Sequence, residues 1–126
     1  MAFRPLPESE SWKLLESTNI GRLAVSTPEG ADVFPLTHHV HGRAIYFRTA
    51  PGTKLAAIAD NPRVAFEADG FIDTRPWSVV VRGIAQRLDA DDEIITSGVL
   101  DVITPVGDEQ WNYVRITPVA VTGRRG

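Results

Sequence analysis

Arg48 and Thr49 are followed by a Pro51-Gly52 turn and then by Thr53 and Lys54. Two cations and two hydroxyl groups around a turn and a helix start make an anion cradle. The backbone N–H groups of the turn and first helical residues offer donors, the hydroxyls add more, and Arg48 and Lys54 supply charge. The anion that such a set would take is a phosphate. No P-loop or dinucleotide-fold glycine pattern stands nearby.

Other residues capable of chemistry form no comparable set. His38, His39 and His41 could ligate a metal, but neighbouring strand residues point to opposite faces, so His38 and His39 cannot share one ion. His39 and His41 do share a face, yet no carboxylate pattern completes a shell, and no metal is expected. Glu67 and Asp69 also lie two apart on one strand, with nothing to place a scissile bond between them. Asp91-Asp92-Glu93 reads as the acidic first turn of a helix, complementing its dipole. No nucleophile elbow or Ser-His-Asp order occurs, so no catalytic side chain is assigned.

Composition narrows the function classes. The 126 residues are 43% hydrophobic, with 13 Lys plus Arg against 16 Asp plus Glu and a formal net charge of -3. One globular domain spanning residues 1–126 is expected. No basic run exceeds Arg124-Arg125, so nucleic acid is not an expected partner. There is no Cys, which removes disulfides, zinc-thiolate sites and thiol catalysis. The first five residues lack a signal peptide's apolar core, and no apolar run approaches the ~20 residues of a membrane span, so a cytoplasmic protein without membrane contact is expected.

The elements that must position the cradle follow from apolar periodicity and turn residues. Residues 9–18 read as an amphipathic helix with Ser9 or Ser11 as N-cap, ended by Gly21. Residues 22–27 and 31–40 read as strands joined by Pro28-Glu29-Gly30, and His41-Gly42 turns the chain into a third strand at 43–48. A short helix at 53–60 separates it from strands at 64–69 and 77–88, the latter carrying Val79-Val80-Val81, with residues 70–76 as a loop. A helix opens near Asp91, and a last strand covers 113–122. Six strands with two or three short helices, mostly joined as hairpins, describe a mainly β protein with a closed or partly closed antiparallel barrel.

The order Gly21-Arg22-Leu23-Ala24, Pro35-Leu36, Ile45-Tyr46-Phe47-Arg48-Thr49 with Gly52-Thr53-Lys54, Asn61-Pro62-Arg63-Val64-Ala65-Phe66-Glu67 and Trp77-Ser78-Val79-Val80-Val81-Arg82-Gly83 resembles the pyridoxamine 5'-phosphate oxidase-like flavin-binding proteins. The similarity runs from about Trp12 to Gly123 and is nearest to the small actinobacterial and nitroimidazole reductase-like members. It implies a six-stranded antiparallel split β-barrel and a homodimer with flavin mononucleotide (FMN) in clefts at the subunit interface. It also implies a flavin-dependent oxidoreductase acting on a small molecule, or else a flavin-holding or flavin-sensing protein without a substrate.

Carried over by position, the resemblance places the flavin phosphate on Arg48, Thr49, Thr53 and Lys54, beside Phe47. Pro35, Leu36 and Thr37, with Phe34 and His38, fall beside the flavin ring. Trp77 and Ser78 fall where the ring or ribityl chain is touched, in some members from the partner subunit. Trp111 and Arg115 match positions that close the cleft, and Arg82 is a further candidate. A His-Ser pair common in the nitroimidazole reductases is replaced here by Arg48-Thr49. The longer true oxidases carry an Arg- and His-containing substrate site that residues 122–126 do not reproduce, so vitamin B6 oxidation is not expected. Relatives using the deazaflavin F420 place basic residues on its acidic tail, and Arg22, Arg43 and Arg48 keep that cofactor open; haem is a remoter ligand, resting on the three histidines.

Overall fold

Every second residue along the long strands is apolar and buried, the period of a sheet with one face on a core. A computed structural model describes residues 2–89, 91–101 and 112–126. In chain order the elements are β1 (Arg4–Leu6), α1 (Glu8–Glu16), β2 (Ile20–Thr27), β3 (Gly30–Thr37), β4 (His39–His41), β5 (Ala44–Thr49), α2 (Thr53–Asp60), β6 (Arg63–Ile72), β7 (Arg75–Arg87), α3 (Asp91–Ser97), a 3-10 turn at Val99–Asp101, and β8 (Asn112–Arg125).

All registered pairs are antiparallel, and the sheet runs β3-β2-β6-β7-β8-β5-β4, with β1 added beside β8. The two ends of this path, β3 and β4, are consecutive in the chain and joined by His38 alone. The sheet therefore curls until one stretch of chain serves both of its edges, which is the split barrel that the resemblance implies.

Leu23, Val25, Phe66, Val79, Val81, Val114 and Ile116 point inward, together with Ile45 and Phe47. Trp12 and Leu15, three apart on α1, and Ala57 and Ile58 of α2 join the same core. β5 is buried on both faces, because Ala44 and Tyr46 on its outer face pack with Leu88, Ile94 and Val99 under α3. Between β7 and β8 the register slips at Arg82/Gly83, and Val119 is the extra residue of a bulge.

Several expectations need correction. The sheet has eight strands rather than six, because the stretch 31–40 breaks at His38 into β3 and β4, and β1 joins the edge of β8 near its end. Residues 70–76 are a tight hairpin rather than a loop, with Asp73 at a positive φ of 56°. Gly21 lies inside β2, not at a helix end. Neither Ser9 nor Ser11 caps α1: Pro7 holds the N-cap position, and the Ser11 hydroxyl donates to the Pro7 carbonyl at 3.2 Å. Proline at a helix start loses no intrahelical bond, since the first N–H groups have no partner in any case.

Candidate functional site

The ladder between β4 and β5 runs from His41↔Ala44 to His39↔Tyr46 and stops. Extended two residues further, it would set Thr37 opposite Arg48. Instead the chain bends at His38 and β3 pairs with β2, from Thr37↔Ile20 to Gly30↔Thr27. Beyond His38 the two strands therefore part company, β3 at residues 34–37 pairing with β2 and β5 at residues 47–49 pairing with β8. Pro35, which has no N–H, stands on a sheet-edge strand where the missing donor is tolerated.

Alternation decides what each side chain offers. Phe47 is fully buried in the core, and Leu36 and Phe34 pack against that core from β3, while Pro35 is exposed and Thr37 half-buried. Arg48 leaves β5 on the opposite face from Phe47 and Thr49. It is half-buried, and its Nε has no hydrogen-bond partner among the described residues. A buried cationic donor without an acceptor is an arrangement that an anionic ligand would complete. Thr49 is buried, and its hydroxyl donates to the Ala50 carbonyl at 3.1 Å, leaving its lone pairs for other donors.

α2 starts at Thr53 with no side-chain cap, and its first intrahelical bond from this end is Ala56 N–H to Gly52 O at 3.1 Å. The N–H groups of Thr53, Lys54 and Leu55 are therefore orphans of the helix start. Thr53 is exposed. Lys54 is half-buried, with Nζ 4.9 Å from the centre of the Phe34 ring, so the helix reaches across to β3. Partial burial pulls the Lys54 ammonium below its ordinary pKa of 10.5, although it remains the cationic partner of the ring.

The structure adds Asn112, which the sequence did not single out. It lies directly opposite Thr49 on β8, is 6% exposed, and its Nδ2 has no partner among the described residues. Only the strand register brings it beside the cradle.

Trp77 pairs with Arg125 and Ser78 with Arg124, whereas Arg48 and Thr49 pair with Tyr113 and Asn112, on a different stretch of β8. Trp77 is a buried core residue packed under Gly70, and Ser78 is half-buried. Trp111 lies outside the described residues. Arg115 is held by Glu93 of α3 and by Gln86 at 3.0 Å. Arg22 is paired with Glu67 and, at 2.6 Å, with Asp69, so these two carboxylates are engaged in a salt bridge. The hydrogen bond that Arg22 donates to Glu67 is the main reason the Arg22 pKa rises.

The outer face of the sheet carries a groove of about 500 Å3, lined by Ala24, Ala31, Ala65, Arg63, Arg82, Ile84 and Val119. The bulge turns Val119 outward until it is 74% exposed. Among the described residues no helix is long and apolar enough to cross a membrane.

An antiparallel sheet curled until β3 and β4, one continuous stretch of chain, serve both of its edges defines the class of split β-barrels. The chain belongs to the family described as Pyridoxamine 5'-phosphate oxidase, which it matches over residues 7–125. It is similar to the crystal structure of a candidate pyridoxamine 5'-phosphate oxidase from Corynebacterium glutamicum, at 38% identity and a TM-score of 0.88, covering 99% of this chain and 98% of that one. It is also similar to an FAD-binding protein from Mycobacterium smegmatis, at 34% identity and a TM-score of 0.79, covering 96% of each chain. An FAD-binding protein from Mesorhizobium loti is 26% identical with a TM-score of 0.86, covering 100% of this chain and 99% of that one.

Proposed function

We propose that this protein binds a flavin nucleotide in the cleft between β3 and β5 and serves as a flavin-dependent oxidoreductase for a small molecule. The observation that carries the reading is the buried Arg48 Nε, which has no partner among the described residues, on the strand that leads into the α2 start with its Lys54 cation over Phe34. Arg48, Lys54, Thr53 and the N–H groups of residues 53–55 would hold the phosphate, with Thr49 and Asn112 at the strand ends. The edge of β3 at Pro35, Leu36 and Thr37 would lie along the ring. The bound flavin would supply hydride or electron transfer, while the protein orients it and excludes water.

FMN is the form favoured, because the two cations of the cradle match the charge of one phosphate monoester. The FAD-binding relatives make FAD the competing form. F420 is less favoured than the basic residues alone implied: Arg22 is already held by Glu67 and Asp69.

The reading includes a homodimer. The resemblance sets Trp77 and Ser78 against the cofactor, in some members from the partner subunit, and the reading takes that arrangement. The apolar outer face with Val119 and Ile84 exposed offers a second copy a surface.

Titration with FMN, FAD and F420, followed by flavin fluorescence and absorbance, tests the reading. Saturable binding of FMN or FAD supports it. Absence of binding by either flavin overturns it. A flavin that binds, and once reduced is re-oxidised only by oxygen, reduces the assignment to a flavin-holding or sensing protein.

A further inference from the structure

Among the described residues, three buried side-chain atoms have no hydrogen-bond partner: Arg48 Nε, Asn112 Nδ2 and His38 Nδ1. The first two belong to the proposed flavin site. His38 is the single residue where the barrel closes, and no part of the proposed chemistry uses it.

Its surroundings are specific. The ring is 4% exposed and meets the Phe66 ring edge-on at 4.9 Å between centres. Nε2 lies 3.0 Å from the carbonyl oxygen of Leu15 at the end of α1, and the backbone N–H of His38 donates to the Asn19 carbonyl at 2.8 Å. A carbonyl only accepts, so Nε2 carries the hydrogen and Nδ1 keeps its lone pair. Two bonds thus tie the β3–β4 junction to the end of α1 and the residues just after it.

We propose that His38 is an acid-sensitive latch: neutral, it holds the barrel seam closed against α1, and protonated, it releases the seam and the β3 wall of the cleft with it. Adding a proton at Nδ1 would put a charge with no counterion against Phe66, and the Leu15 and Asn19 carbonyls, which favour the protonated ring, offset only part of the cost of burying it. The charged groups acting on the ring are His39 of β4 and Arg22 of β2, and both oppose a positive charge there. From α1 and the segment after it come the carbonyls of Leu15 and Asn19, and from β6 the Phe66 ring. Burial is the main cause that lowers the pKa of His38 below its ordinary 6.5, so the closed form resists protonation.

The sign follows from linkage. An opened seam exposes a ring that protonates at about 6.5, and the closed seam does not take that proton until the pH is lower still. Opening is therefore unaffected at pH 7.5 and favoured up to about tenfold at pH 5.5, one unit below the ordinary value.

Two measurements decide it. Long-range nitrogen–proton NMR of the assigned His38 ring should show Nε2–H and a bare Nδ1 at pH 7.5, with no titration near pH 6.5 in the folded protein. The hydrogen-exchange protection of the His38 amide should fall about tenfold from pH 7.5 to 5.5 in the wild type, and stay level in His38→Gln, which can donate to Leu15 but cannot titrate. Equal pH dependence in both proteins overturns the latch, as does an Nδ1–H tautomer at pH 7.5. If His38→Gln does not fold, the wild-type ring decides: titration near 6.5 overturns the proposal. The cleft's part in it rests on the flavin reading: saturating flavin, bound to the closed form, should raise the protection of the His38 amide at pH 5.5. A protein that binds no flavin at any pH defeats that reading, while exchange and ring titration still judge the latch.

Discussion

At the scale of single residues, Lys54 has its charge half-buried over Phe34 and no ion-pair partner among the described residues. Its removal deprives a bound phosphate of one cation and strips little from the core. Lys54→Ala is expected to weaken flavin binding by about 10- to 100-fold, a loss typical of one charge-assisted hydrogen bond, with the melting temperature shifted by no more than about 2 °C. Fluorescence titration alongside thermal unfolding checks both, and undiminished affinity would remove Lys54 from the site. Gly21 behaves in the opposite way. A Cβ there would stand 2.2 Å from Phe66 Cζ and 2.7 Å from the Glu67 carbonyl oxygen, so Gly21→Ala should destabilise the fold by about 1–3 kcal/mol or more, read from urea unfolding. The strand end at Thr49 and the helix start at Thr53 were legible because the residue types and their spacing around Pro51-Gly52 carry the signal locally. Asn112 was not, because nothing near it in the chain marks it: it matters only through its rung with Thr49.

At the scale of elements, α1 does more than cover one end of the barrel. Leu15 is fully buried and its carbonyl takes the bond from His38, so the helix both fills the core and anchors the seam. Leu15→Ala leaves the carbonyl in place but opens a cavity beside the junction, and a loss of about 2–5 kcal/mol is expected from chemical denaturation. A loss below 1 kcal/mol would show that the helix is not packed as described. The strands at 22–27, 43–48, 64–69 and 77–88 were readable from alternation and turn residues. The break at His38 was not, since β-propensity runs on through it and the bend is imposed by pairing with β2 on one side and β5 on the other.

For the whole molecule, assembly is the open dimension of the fold. A face that shows Val119 at 74% exposure and Ile84 at 39% over a floor of alanines resembles half of an interface. Val119→Lys places a charge on it and is expected to shift the protein from dimer to monomer in light scattering and to weaken flavin binding in parallel. A monomeric wild type would instead remove the homodimer. Taken by itself, the sequence determined the mainly β class, most of the strands and the helix that begins at Thr53, because alternation and turns are written in neighbouring positions. Tertiary structure alone decided that β3 and β4 share the barrel's two edges, that Arg22 is held by Glu67 and Asp69, and that Asn112 stands opposite Thr49. Those relations depend on which distant strands pair and in what register, and pairing energy is summed over the whole sheet rather than stored in any local stretch of chain.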